Sequence, residues 1–170
     1  FKKESVEYAL TGGFAMGAIG IMRATADLDF IVNARDLSRI EAIMKKYGYR
    51  CVYKTKNVSQ YVSEIKIFGE VDFIHAFRPV SLSMLKRAKE ISVLEGKYTI
   101  RVLKPEDIIG LKIQAFVNNP ERERREYADI QEIMEYYRLN LDWELLKEYF
   151  GLFKKSKEFK ELKEKYGKTE

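Results

Sequence analysis

Hydrophobic positions recur with two different periods along the 170-residue chain, and the change between them falls near Leu103. Before it, short alternating stretches mix with helical ones; beyond it the pattern is almost wholly helical. Ser5 to Leu10 read as the end of a first helix. Thr11-Gly12-Gly13 follow, and then Ala15, Ala18, Ile19 and Met22 recur at helical spacing. Asp27 to Val32 alternates, with Leu28, Phe30 and Val32 on one face of a strand and Asp27, Asp29 and Ile31 on the other. Asp36 is placed to cap a helix carrying Leu37, Ile40, Ile43 and Met44, which Gly48 stops. Cys51–Tyr53, Tyr61–Phe68 and Glu70–Ile74 read as strands, the last two joined at Gly69.

Ser81 or Ser83 opens the next helix, through Met84, Leu85 and Ala88, and short strands flank Glu95-Gly96-Lys97. Pro105 suits the first turn of a helix running to about Val117. Glu121 to Tyr137 is another, Asp142 caps a third from Trp143, and Ser156 to Tyr166 forms a solvated last one. The pattern predicts an α+β fold: residues 1–103 as a core with a short mixed sheet of roughly four to six strands, and residues 104–170 as a helical bundle packed on it.

Composition narrows the function classes. With 46% hydrophobic and 34% charged residues the chain can bury a core. Its net charge of +5 is concentrated in the Lys-rich end from Lys154 onward, so the rest is nearly balanced. That argues against a general electrostatic nucleic-acid binder but permits anionic substrates. The one cysteine, Cys51, excludes an internal disulfide and a cysteine-based zinc site. No apolar run reaches the roughly 18 residues of a membrane span, and Phe1-Lys2-Lys3-Glu4 carries no secretory pattern. The expected location is cytoplasmic, without membrane contact.

Three features of the first half belong together. A Gly-Gly pair opens a small-residue helix, Asp27-Leu28-Asp29 follows on a strand, and Asp72 sits in Val71-Asp72-Phe73 on a later strand. Alternation puts Asp27 and Asp29 about 6.7 Å apart on one face. Two carboxylates there repel by roughly 2.5 kcal/mol at an effective dielectric of about 20. A divalent cation reverses that sign, with Asp72 as a third oxygen ligand; hard donors favour Mg2+ or Mn2+, completed by NTP phosphates. Gly12 and Gly13 let a helix start approach a phosphate closely, and Arg23 and Thr25 are candidate further donors. Taken singly, Gly-Gly is most often a turn and Asp-x-Asp a solvated strand face; only the conjunction is specific.

Thr11-Gly12-Gly13, Asp27-Leu28-Asp29-Phe30-Ile31-Val32 and Val71-Asp72-Phe73 resemble the motifs of the polymerase-beta nucleotidyltransferase superfamily. The small size and helical second half are similar to its minimal branch, which includes AbiEii-type toxins of toxin–antitoxin systems. That branch also has a lysine on a helix and a downstream basic-Asp-x-x-Asp segment. Lys112 and Arg125-Glu126-Tyr127-Ala128-Asp129 match it, with Glu126 where Asp is usual. Gly13 stands where many relatives have Ser.

The resemblance implies metal-dependent transfer of a nucleoside monophosphate from an NTP to an acceptor hydroxyl. Asp27, Asp29 and Asp72 would hold the metal, Asp72 would also take the hydroxyl proton, Gly12 and Gly13 would seat the triphosphate, and Lys112 would offset developing charge. Asp129 is placed to pair with Lys112 across a helical hairpin. On that catalytic reading Lys112→Met would depress turnover while leaving stability nearly intact, because the aliphatic stem is kept; the local alternative is a Lys112 snorkelling at a helix edge. The favoured acceptor is tRNA or another RNA, with protein or small-molecule hydroxyls as alternatives and an antitoxin as a protein partner. The rival reading is a non-catalytic binding module of the same fold, against which three converging acids argue. His75 falls on the strand face opposite Asp72 and reads as a polar core residue. Trp143 and Tyr149 read as helix-packing residues.

Overall fold

The computed structural model describes residues 1–65 and 69–167, and divides into two compact units, Phe1–Lys104 and Pro105–Glu170. The first holds a sheet in which seven strands are described: β1 (Tyr8–Thr11), β2 (Leu28–Asn33), β3 (Tyr49–Lys54), β4 (Val58–Ser63), β5 (Glu70–Ala76), β6 (Lys89–Val93) and β7 (Tyr98–Val102). Their order is β3-β4-β5-β2-β1-β7-β6. β2 with β5 and β1 with β7 run parallel; the other neighbours are antiparallel, so the sheet is mixed. Three helices belong to this unit: α1 (Gly12–Ala18), α2 (Leu37–Lys46) and α3 (Pro79–Arg87).

The strand that sequence reading misses is β1, which it takes for the end of a helix. All four of its residues are buried, and it lies between β2 and β7. A strand covered on both faces loses the alternation that marks a half-exposed one. Other boundaries move for local reasons. α1 ends at Ala18, leaving Met22 96% exposed, and β2 begins at Leu28, leaving Asp27 on the preceding bend. β4 starts at Val58 and ends at Ser63; the part of the expected strand at Lys66–Phe68 lies outside the described residues. α3 starts at Pro79, and the Arg78 N–H donates to Ser81 Oγ at 3.2 Å. Asp36 precedes α2 without capping it: its buried carboxylate accepts from the Glu7 N–H at 2.9 Å and pairs with Arg39 at 3.2 Å.

One face of the sheet carries an aromatic-rich core cluster. Tyr8, Val32, Tyr61, Val71 and Phe73 pack there with Ile40 and Met44 of α2, and Phe1, Leu28 and Phe30 close against them. Because successive strand residues alternate between faces, this packing sends Asp29 and Asp72 to the opposite side. His75 falls on the core face, as its spacing predicts. It is 4% exposed; Nδ1 lies 3.1 Å from the Lys56 carbonyl and Nε2 3.0 Å from Ser59 Oγ. A carbonyl only accepts, so Nδ1 donates; in the neutral ring Nε2 then accepts from the Ser59 hydroxyl.

The second unit consists of α4 (Pro105–Asn118), α5 (Glu123–Tyr137), α6 (Trp143–Leu152) and α7 (Ser156–Tyr166). Asp142 caps α6 as predicted, Oδ1 accepting from the Leu145 N–H at 3.0 Å. Trp143 and Phe150 both meet the Phe159 ring, and Tyr149 is buried, so these aromatics join helices.

Burial holds the His75 pKa below its usual 6.5. The unfolded chain therefore takes up a proton that the folded chain resists, so stability is full above the unfolded value and falls as pH drops towards the folded one. Melting temperatures should decline from about pH 7 to about pH 5, and His75→Gln should flatten that part of the decline.

Candidate active site

The face opposite the aromatic core carries one polar row across four strands. Thr11 of β1 is level with Asp29 of β2, Asp29 with Asp72 of β5, and Asp72 with Gln60 of β4. Neighbouring strands lie about 4.8 Å apart, so the two aspartates stand side by side. At that spacing two ionised carboxylates repel by on the order of 3 kcal/mol at an effective dielectric of about 20. Gln60 Nε2 donates to Asp72 Oδ2 at 3.1 Å, which fixes the carboxylate's orientation, and Oδ1 is sealed from bulk water. Sequence reading misses Gln60. Its only signal is a polar residue between Val58 and Val62, and the register was needed to place it against Asp72.

The glycine pair closes on the same row. Gly12 has φ +67°, and a Cβ there would stand 2.0 Å from Asp29 Oδ2. A Cβ on Gly13 would stand 2.7 Å from Thr25 Cβ and 3.0 Å from its Oγ1. The missing side chains thus let the start of α1 sit against Asp29 and Thr25, a use of glycine that the sequence reading, concerned with phosphate, does not anticipate. The structure brings together Gly12, Gly13, Thr25, Asp29 and Asp72. Arg23 and Asp27 stand on the segment leading into β2: Arg23 Nη1 donates to the Ala24 carbonyl at 3.1 Å, and Asp27 is exposed on its bend. Among the described residues no three Asp, Glu, His or Cys side chains converge to hold an ion.

The second unit holds its own charged cluster. Lys112 of α4 points inward, its Nζ donating to Asp129 Oδ2 at 2.6 Å and Glu126 Oε2 at 3.0 Å across the α4–α5 hairpin. Lys112 and Asp129 therefore pair as the sequence suggests, and the snorkelling alternative is excluded, since the lysine side chain is only 9% exposed. Glu126, the residue that departs from the family pattern, is a full member. Its second oxygen takes Arg122 Nη2 at 2.5 Å. Two cations and two carboxylates balance.

Residues 2–167 match the family model of the nucleotidyl transferase AbiEii toxin of type IV toxin–antitoxin systems. Three solved structures illustrate the fold. ANT(2'')-Ia in complex with adenylyl-2''-tobramycin superimposes with a TM-score of 0.67 at 15% identity, over 90% of each chain. The lincomycin-bound lincosamide antibiotic adenylyltransferase LnuA gives 0.55 at 15% identity, over 78% of this chain and 89% of that one. An antigenic nucleotidyltransferase-like protein from Paracoccidioides brasiliensis gives 0.53 at 15% identity, over 95% and 85%. A comparison with curated protein sequences returns no match.

Two substitutions probe these clusters. Gly12→Ala combines a left-handed backbone with a Cβ driven into the Asp29 carboxylate; it should lower stability by about 1–2 kcal/mol and move Asp29. Denaturant melts will measure the first effect and a crystal structure of the variant the second. Lys112→Met leaves two buried carboxylates facing each other, so it should cost about 3–5 kcal/mol in the same melts rather than sparing stability. Adding Asp129→Asn should recover part of that loss.

Proposed function

The chain belongs to the AbiEii nucleotidyltransferase toxin family, and from that premise we propose that it transfers a nucleoside monophosphate from an NTP to a hydroxyl of an RNA acceptor, tRNA foremost. The observation that carries this reading is the register of β2 and β5. It sets Asp29 beside Asp72 on a face that the first glycine of α1 also reaches.

The donor set suits Mg2+ or Mn2+. Magnesium is ordinarily held by one or two carboxylates, with substrate phosphates and water filling the rest. In this reading Asp29 and Asp72 would hold the ion, while Asp27, exposed on the adjoining bend, does not converge on them. When bound, the ion offsets both carboxylate repulsion and phosphate charge. The chain's own groups do the remaining work. Asp72, held by Gln60 through one oxygen, takes the proton of the attacking hydroxyl. The backbone at Gly12 and Gly13, with Thr25 and Arg23, binds the triphosphate.

An antitoxin protein is the expected partner, by the family's toxin–antitoxin character. A cytoplasmic location is consistent with helices none of which, among the described residues, is long and apolar enough to cross a membrane. A second reading, adenylylation of a small molecule, is favoured by the fold's likeness to the structure that contains adenylyl-2''-tobramycin.

α-Labelled NTPs offered to total RNA, protein lysate and a small-molecule hydroxyl panel separate these readings. Label should enter RNA in the presence of magnesium and fall by roughly a hundredfold or more in Asp29→Asn. Label confined to the small-molecule fraction would establish the second reading. Equal transfer by Asp29→Asn would remove the acid pair from the chemistry.

A further inference from the structure

The outer strand β3 contains an irregularity whose effect reaches the candidate site. Its pairing with β4 runs regularly from Tyr49↔Ser63 through Cys51↔Tyr61 and resumes at Tyr53↔Gln60. Val52 is the extra residue of a β-bulge. In a regular strand Val52 would stand opposite Gln60, and Tyr53 would share a face with Cys51. With the bulge, Cys51 stays level with Tyr61 on the core face, while Tyr53 moves to the face of Gln60, Asp72 and Asp29. Lys54 verifies the change of phase: it falls on the core face, where its Nζ meets Glu41 Oε2 of α2 at 2.7 Å. Tyr53 thus lengthens the polar row by one place, and the residue is 52% exposed.

We infer that Tyr53 is the surface on which a nucleobase of the acceptor stacks. This rests on the RNA reading above. Gly12 and Thr25, assigned to the NTP, approach the row from the Asp29 side, so the acceptor must enter from the opposite side of Asp72, past Gln60 to Tyr53. Two strand spacings place Tyr53 about 10 Å from Asp72 along the sheet, within reach of a nucleotide whose hydroxyl meets that aspartate. An exposed tyrosine ring suits any base, because every base offers a planar face. Arg50, exposed and level with Val62, lies on the same face three residues earlier in the strand, the bulge accounting for the odd spacing, and supplies a cation for the acceptor's phosphodiester. A bulge that merely protects the sheet edge from aggregation would leave acceptor binding indifferent to this ring.

Steady-state kinetics on the full chain, with labelled NTP and RNA, test the assignment. Tyr53→Ala and Tyr53→Leu should raise the acceptor KM by roughly tenfold, the loss of one stacked base, with the KM for NTP unchanged. Tyr53→Phe should behave like the wild type, and the melting temperatures of all three should match it. Acceptor KM values within about twofold of wild type in Tyr53→Ala, or an equal rise in both KM values, would overturn the assignment while leaving the RNA reading intact. A wild-type protein that labels no RNA with any NTP would overturn the RNA reading, and this assignment with it.

Discussion

The parallel ladder between β2 and β5 sets two carboxyl groups side by side, and the first unit is arranged around that constraint. Six residue pairs are in register, from Leu28↔Val71 to Asn33↔Ala76. What fixes the register is on the other face: Phe30 stacks on Phe73 at 5.9 Å between ring centroids, and Tyr61 meets Phe73 edge-on at 5.5 Å. A slip of one residue would turn those rings to the polar face and the aspartates into the core, a change no hydrophobic packing could tolerate. Apolar contacts that touch no substrate therefore set the geometry of the acids. Gly12 and Gln60 then complete their surroundings from both sides.

The second unit solves a different electrostatic problem. Lys112, Glu126, Asp129 and Arg122 form a compact charge-balanced set, with the lysine and both carboxylates withdrawn from water. Such a set gives little net stability compared with apolar packing, yet is costly to break.

Much of this was legible in the sequence, and the failures have physical causes. Asp29 and Asp72 could be assigned because β2 and β5 are half-covered strands, whose alternation survives in the residue pattern. Lys112 and Asp129 stand out as polar residues at helical positions with apolar neighbours. β1 reads as helix because burial on both faces erases alternation. Asp27 reads as part of the strand because the alternation begins one residue before the first ladder pair, Leu28↔Val71. Gln60 and Tyr53 were invisible for a deeper reason. Their importance comes from cross-strand register and, for Tyr53, from one extra residue in a bulge; neither leaves a periodic mark along a single segment. The glycines were located correctly, but only coordinates reveal that Asp29 and Thr25 fill the space their side chains would take.

The most direct measurement of the central claim is the melting temperature of wild type and Asp29→Asn, each without ligand and with magnesium and NTP. If the ladder stores carboxylate repulsion that metal and nucleotide relieve, the ligands should stabilise wild type strongly and Asp29→Asn hardly at all. The metal-free variant should then melt no lower than the metal-free wild type, because removing one charge relieves the same strain. An equal ligand response in the two proteins would contradict the account.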